Sequence, residues 1–450
     1  MTAARARSEP PGILQEFHDR TSKSRDAYTT AKTRLPGGVN RNITYFDPHP
    51  VFFERGIGAA LFDIDGNKYC DFLGNYTAMI LGYSNAEVAA AVRAQVLRGT
   101  TWGGATTTEF ELADLIADRI PSMEMTRFTS SGTEATMMAL RAARAATGRR
   151  LVAKFEGGYH GLHDCATVSL APLLEQAGPR ERPTSVAPRG VPRDVADTVV
   201  VLPFNDADAV DAILAVHGPE LAAMIVEPVM GVAGVIEPQH DFLARLRSGA
   251  DRHGIVLIFD EVISFRTAYG AAQSVYGVKP DLTTLGKVIG GGFPIGAVGG
   301  DPRIMEVFNP SARNSVTLSG TFHANPVAMQ AGIATLEALD AKVLGRLNAD
   351  AERFLREVRV VLATSSRPVQ LNAVGSLFNI HFSPSPVTDY RTSLCSDKGA
   401  LRWLHLALLN EGILLAPRGL GCLSVPMPHG DLNRFVDGLD RALTKLNGHD

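Results

Sequence analysis

The stretch Leu285-Gly286-Lys287-Val288-Ile289-Gly290-Gly291-Gly292 closes an apolar, strand-like run that begins at Asp281. It follows Ile258-Phe259-Asp260-Glu261-Val262 by about two dozen residues. A lysine at the end of a buried strand has few water partners, so its ammonium form is disfavoured and its amine is available as a nucleophile. The glycines let the backbone turn sharply and come close to whatever the lysine holds. Two other readings compete: a lysine that snorkels to the surface at a strand end, and a Walker phosphate loop. The loop fails, because no glycine stands at the required earlier position and Val288 occupies the Ser/Thr place. Asp260 has a plain alternative too, as an acid closing a buried strand. The company these residues keep decides between the readings.

Outward from this stretch, short apolar runs alternate with helical patterns. The runs are 126–128, 151–155, 198–202, 223–226, 255–259, 282–285 and 295–298, with helical stretches at 134–146, 207–216 and 242–253. Such alternation predicts an α/β fold with a mostly parallel sheet sandwiched by helices. In open parallel sheets ligands sit beyond the carboxyl ends of the strands. Ser130-Ser131-Gly132-Thr133, Tyr159-His160, Glu227, Asp260 and Lys287 all fall just after a run.

Toward the N-terminus, residues 1–30 read as an arm or first helix, and Leu35-Pro36-Gly37-Gly38-Val39-Asn40-Arg41 as a turn-rich segment. Asp65-Gly66 between apolar runs predicts a tight hairpin over 60–72. Apolar residues at three- and four-residue steps predict helices over 86–97 and 109–120. Residues 171–194, rich in proline and charge, read as a surface excursion or an active-site flap. Beyond Asn325 helices are expected at 327–339, 342–362 and 432–446, with a strand at 376–382.

A chain of 450 residues, 45% hydrophobic, can bury a large core in two lobes. Its net charge of -3 and pI near 6.5 argue against a nucleic-acid or membrane-surface protein. Cys70, Cys165, Cys395 and Cys422 are scattered, with no pair at metal-ligand spacing, which suits free thiols in a reducing compartment. The polar start lacks the apolar core of a signal peptide, so a soluble cytoplasmic protein is expected.

Ser131, Gly132 and Thr133 open a helix, where free N–H groups, hydroxyls and the positive helix end suit a phosphate. An ordinary N-cap is the plain alternative. Tyr159 is either core or an aromatic lid over a flat ring. Asp260 can hold a proton on a heteroaromatic nitrogen. A phosphate site, a ring stack, a pyridinium partner and a Schiff-base lysine together describe pyridoxal 5'-phosphate (PLP).

The chain resembles the class III, fold-type-I PLP aminotransferases, in the branch of glutamate-1-semialdehyde aminomutases and β-amino-acid (β-phenylalanine-type) aminotransferases. The matching stretches are LPGGVN from Leu35, TSSGTEA from Thr129, FEGGYHG from Phe155, VEP from Val226, FDEV from Phe259, LGKVIGGG from Leu285 and LSGTFHANP from Leu318. The resemblance implies a large PLP-binding domain over 76–325 and a smaller α+β domain from 1–75 and 326–450. It makes Lys287 the Schiff-base lysine and proton shuttle, and pairs Asp260 with the ring nitrogen. Tyr159 and Val262 would lie on the two faces of the ring, and Glu227 would stand behind it. Ser131, Gly132 and Thr133 would hold the phosphate, and Thr321 would reach the phosphate in the neighbouring subunit of a homodimer.

Within the branch, the aminomutases resemble a pattern with Asn where this chain has Val232, and a late phenylalanine-glutamate step where it reads Cys422-Leu423-Ser424-Val425. Arg41 and Arg418 match the two carboxylate-binding arginines of the β-phenylalanine type, although that type places Gln where Met230 stands. A guanidinium grips a carboxylate with two parallel hydrogen bonds. The expected activity is amino transfer between a β-amino acid, with an aryl or apolar side chain, and a 2-oxo acid such as 2-oxoglutarate. The alternatives are the intramolecular aminomutase reaction, and a PLP-fold regulator, for which neither terminus carries a basic helical domain.

Overall fold

The computed structural model describes residues 12–447, and its centre is a seven-stranded sheet. In chain order the strands are β1 (Met125–Thr129), β2 (Leu151–Phe155), β3 (Val199–Leu202), β4 (Leu221–Val226), β5 (Val256–Asp260), β6 (Leu282–Gly286) and β7 (Gly296–Gly300). Across the sheet they run β1-β7-β6-β5-β4-β2-β3. Neighbours among β2 to β6 are parallel, whereas β7 is antiparallel to both β6 and β1. β7 departs from the rest because residues 287–295 are too short a link for a parallel crossover.

Successive side chains point to opposite faces. Met224, Val226, Leu257 and Phe259 share a core with Val210, Leu214, Phe242 and Leu246 of helices Ala207–His217 and Phe242–His253. Ala223, Ile225, Val256 and Ile258 join Met138, Ala139 and Ala142 of helix Gly132–Thr147 on the other face. Period-two burial on both sides is what a helix-covered sheet requires. It also explains the continuous apolar runs.

The remainder is built from both ends of the chain. Phe53–Ile57, Ala60–Asp63 and Lys68–Asp71 form an antiparallel meander, and Ile413–Leu414 joins it in parallel with Ile413 opposite Cys70. A three-stranded sheet (Gln370–Val374, Leu377–His381, Leu420–Cys422) and helices Ala341–Leu362, Lys398–Asn410 and His429–Asn447 pack with it. The Phe435 ring sits at the centre, 4.5 Å from Phe72, 5.1 Å from Phe354 and 5.7 Å from Phe378 between centroids.

Local expectations change in several places. The hairpin forms, but residues 64–67 make a longer link, with Gly66 at φ 94°. Asp65 instead accepts from the Lys23 and Ser24 N–H groups at 2.6 and 3.0 Å, which fixes the start of helix Ser22–Ala31. A second helix, Ile13–Arg20, precedes it, and residues 1–11 of the expected arm lie outside the described residues. None of the residues of the excursion at 171–194 lines the cavity around Lys287. Arg391 pins the excursion, donating to the carbonyls of Ala177, Gly178 and Pro179 while gripping Glu156 at 2.7 and 2.9 Å. Helix Lys398–Asn410 is an element the expectations do not include, and its residues Leu404 to Asn410 are all buried. Among the described residues no helix is long and apolar enough to cross a membrane.

Candidate active site

The carboxyl ends of β1, β2, β4, β5 and β6 meet around one cavity of about 290 Å³. Ser131, Gly132, Thr133, Tyr159, Glu227, Asp260, Val262 and Lys287 all line it. Residues far apart in sequence converge because parallel strands end on the same edge.

At one end lies the start of helix Gly132–Thr147. Ser131, in extended backbone, accepts the Glu134 N–H on Oγ at 3.2 Å, and the Glu134 carboxylate takes the Ser130 N–H at 2.8 Å. The first N–H groups of a helix have no intrahelical carbonyl, and the helix end is positive, so this end can hold a phosphate. Shape agrees with that chemistry. A Cβ on Gly132 would come within 3.2 Å of Val262 Cγ2, narrowing the space between them. Gly161, at φ 90°, lets the loop after Tyr159 press on Thr133, where a Cβ would meet Thr133 Oγ1 at 2.5 Å.

Asp260 ends β5 and is buried. Its Oδ2 lies 2.8 Å from His160 Nδ1, and its Oδ1 accepts from Val262 N–H and Thr284 Oγ1, both at 3.2 Å. Burial lowers the His160 pKa, so the ring is neutral and donates from Nδ1 to the carboxylate. His160 is a residue whose part in the site the sequence reading left unassigned. Its place beside Tyr159 in FEGGYHG was the available signal.

Glu227 is held from both sides, with Oε2 accepting the Tyr159 N–H at 2.9 Å and Oε1 the Gly231 N–H at 3.2 Å. Burial, with the nearby Asp260 charge, pushes its pKa up to about 8. Lys287 faces the same pair of acids. Burial lowers its pKa to about 8 while Asp260 and Glu227 hold it up. Its backbone sits at φ 50°, a region uncommon for a side-chain-bearing residue and typical of strain held in place at functional sites. A second buried amine, Lys154, was also missed. It donates to the Val168 carbonyl at 2.8 Å, and burial lowers its pKa to about 7 against the charges of Glu227 and Glu156.

The arginines stand outside the cavity lining. Arg418 is largely buried, its Nε has no hydrogen-bond partner among the described residues, and its charge reaches Lys287, Glu227 and Tyr159. Arg41 is exposed and donates from Nη1 to Asn75 Oδ1 at 3.0 Å. Thr321 is exposed and lines no part of this chain's cavity.

Residues 44–428 match the family model described as aminotransferase class-III, and the chain belongs to that family. A curated relative, glutamate-1-semialdehyde 2,1-aminomutase 2 of Bacillus licheniformis, is 39% identical over 94% of this chain and 98% of its own. Further curated relatives, 37–40% identical, carry the aminomutase name. Among solved structures, an omega-transaminase from Sphaerobacter thermophilus superposes with a TM-score of 0.91 at 42% identity, covering 94% of this chain and 97% of that one. A β-phenylalanine aminotransferase from Variovorax paradoxus gives 0.87 at 36% identity, covering 96% of each. The fold is that of the fold-type-I PLP enzymes, and the protein is a PLP-dependent enzyme acting on small amino and keto compounds. The residues present fit the cofactor: an anion-binding helix end, a slot under Val262, a buried carboxylate and a lysine with a depressed pKa share one cavity.

Proposed function

We propose that this chain moves the amino group of a β-amino acid, with an aryl or apolar side chain, to a 2-oxo acid such as 2-oxoglutarate. The observation that carries the reading is the pair of arginines beside the cavity. Both interact with Tyr76, and the buried Nε of Arg418 has no hydrogen-bond partner among the described residues. Two guanidinium groups gathered at Tyr76 suit a substrate that carries a carboxylate, and a dicarboxylate that uses both.

PLP, when bound, supplies the electron sink that makes the amino-bearing carbon of the substrate acidic. The chain's own residues do the rest. Lys287 holds the cofactor and moves the proton. Asp260, oriented by His160, keeps the ring nitrogen protonated. Ser131, Gly132 and Thr133 take the phosphate, Tyr159 and Val262 enclose the ring, and Glu227 tunes the lysine. Proton transfer by a positioned group typically contributes ~10²–10⁴-fold. The working unit is a cytoplasmic homodimer, with Thr321 of each copy reaching its neighbour's phosphate. The exposed side chains of Phe293 and Phe322 support such a covered surface.

A second reading, the intramolecular aminomutase reaction, has the curated relatives in its favour. Val232 in place of Asn, and the Cys422–Val425 tail, speak against it. Mixing the purified protein with an aromatic β-amino acid and 2-oxoglutarate separates the two readings. Glutamate is expected. Its absence, together with conversion of glutamate-1-semialdehyde without an external acceptor, establishes the second.

A further inference from the structure

Gly74, Asn75, Tyr76 and Thr77 have φ of 54°, 47°, 56° and 77°, a full turn of left-handed backbone. Glycine and asparagine enter this region readily, but a bulky ring there is an outlier. The surrounding fold holds the turn. Thr77 N–H donates to Leu73 O and Met79 N–H to Gly74 O, both at 2.9 Å. The buried Arg266 donates from Nη1 to Thr77 O, also at 2.9 Å, while its other nitrogens reach Ser376 and Leu423. Backbone strain held this firmly gathers where a side chain must be aimed.

The strained turn aims at both arginines. Asn75 Oδ1 accepts from Arg41 Nη1. The Tyr76 hydroxyl donates to the carbonyl of Ile43, inside the short turn Asn42–Thr44 that follows Arg41. The Tyr76 ring lies under the Arg418 guanidinium, 5.9 Å from its centroid. One side chain therefore touches the Arg41 loop with its hydroxyl and Arg418 with its π-face.

We propose that Tyr76 is a positioning residue that sets the spacing of Arg41 and Arg418, and through it the preference for β- over α-carboxylates. This rests on the reading of both arginines as carboxylate sites. The ring keeps Arg418 parked until a carboxylate arrives. The hydroxyl keeps the exposed Arg41 loop in register with it. Asn75 completes the tether, and its residue type tolerates the left-handed backbone.

The test uses the holoenzyme, 3-amino-3-phenylpropanoate as the β-amino acid, and pyruvate as an acceptor small enough to use Arg418 alone. Tyr76→Phe removes the hydroxyl and keeps the ring. The KM for the β-amino acid is expected to rise about 3- to 10-fold, with kcat and the KM for pyruvate unchanged. Amide exchange at Thr44 and Tyr45, whose N–H groups close the Asn42–Thr44 turn, is expected to quicken. Tyr76→Phe added to Arg41→Ala should change the β-amino acid KM no further. Equal KM changes for both substrates, additive effects of the two substitutions, or unaltered exchange at Thr44 and Tyr45 each overturn the proposal. If Arg41→Ala alone leaves the β-amino acid KM unchanged, the carboxylate reading of Arg41 fails, and the proposal falls with it whatever the exchange shows.

Discussion

His160 Nδ1 lies 2.8 Å from Asp260 Oδ2, with both side chains buried and 100 positions apart in the chain. The imidazole, kept neutral by burial, donates to the carboxylate and fixes its orientation, as the proposed pairing with a ring nitrogen requires. A hydrogen bond to a charged group is worth about 1.5–3 kcal/mol. His160→Phe should therefore lower kcat by roughly 10- to 100-fold while cofactor is retained. His160→Asn, which keeps a donor, should recover part of the loss. Steady-state kinetics at cofactor saturation check both.

Lys287→Ala should abolish covalent attachment of the cofactor. Borohydride reduction followed by mass spectrometry should find PLP fixed to the native chain and none fixed to the variant. Turnover should fall by at least ~10²–10⁴-fold. A variant that kept the label would move the assignment to another amine, with the buried Lys154 the first to examine.

The cofactor-free protein should take up the aldehyde faster as pH rises, levelling off above about 8, where Lys287 loses its proton. Glu227 holds that proton on, so Glu227→Gln should move the midpoint down. The same depression of the folded lysine from the ordinary 10.5 acts on stability. Below about pH 8 the folded and unfolded lysine are both charged, and burial of the charge opposes folding throughout. Between about 8 and 10.5 the folded chain releases its proton first, the unfolded chain binds more, and this group's contribution to stability rises with pH. Stopped-flow absorbance across pH, and urea titrations of apo-protein against Lys287→Met, measure the two effects.

Arg418→Lys keeps the charge but loses the planar fork that grips a carboxylate twice. The KM for the 2-oxo acid should rise about tenfold, roughly one charge-assisted hydrogen bond, with little change in kcat. An unchanged KM in initial-rate measurements would remove Arg418 from the carboxylate site.

Phe435→Ala should cost about 3–5 kcal/mol of stability. The ring is fully buried among Phe72, Phe354 and Phe378, which come from both ends of the chain. The loss should appear in urea denaturation, with the cavity around Lys287 affected only through the shared fold.

Local pattern made much of this protein legible before its structure. The β-runs ending at Phe155, Val226, Phe259 and Leu285 carry their signal in consecutive apolar residues, and all four end strands of the central sheet at the cavity. Helix Lys398–Asn410 is absent from the expectations although its apolar residues favour one face; its second half, Leu404 to Asn410, is buried on every side by the elements packed around it. The Asp65-Gly66 pair misled because a turn residue was recruited to cap a distant helix. His160 and Lys154 were hidden because their significance lies in partners far away in sequence.

The chain's own sequence determined the class of chemistry. Strand ends, a helix start rich in hydroxyls and a lysine before glycines are encoded by adjacent residues, and adjacent residues are what a sequence displays. The tertiary structure alone decided the distances. Strand order carried Asp260 to His160, and packing forced a left-handed turn at Tyr76 between two arginines that are hundreds of residues apart. It also kept Thr321 out of its own chain's cavity. Contacts of this kind follow from how whole elements pack, and no window of neighbouring residues contains them.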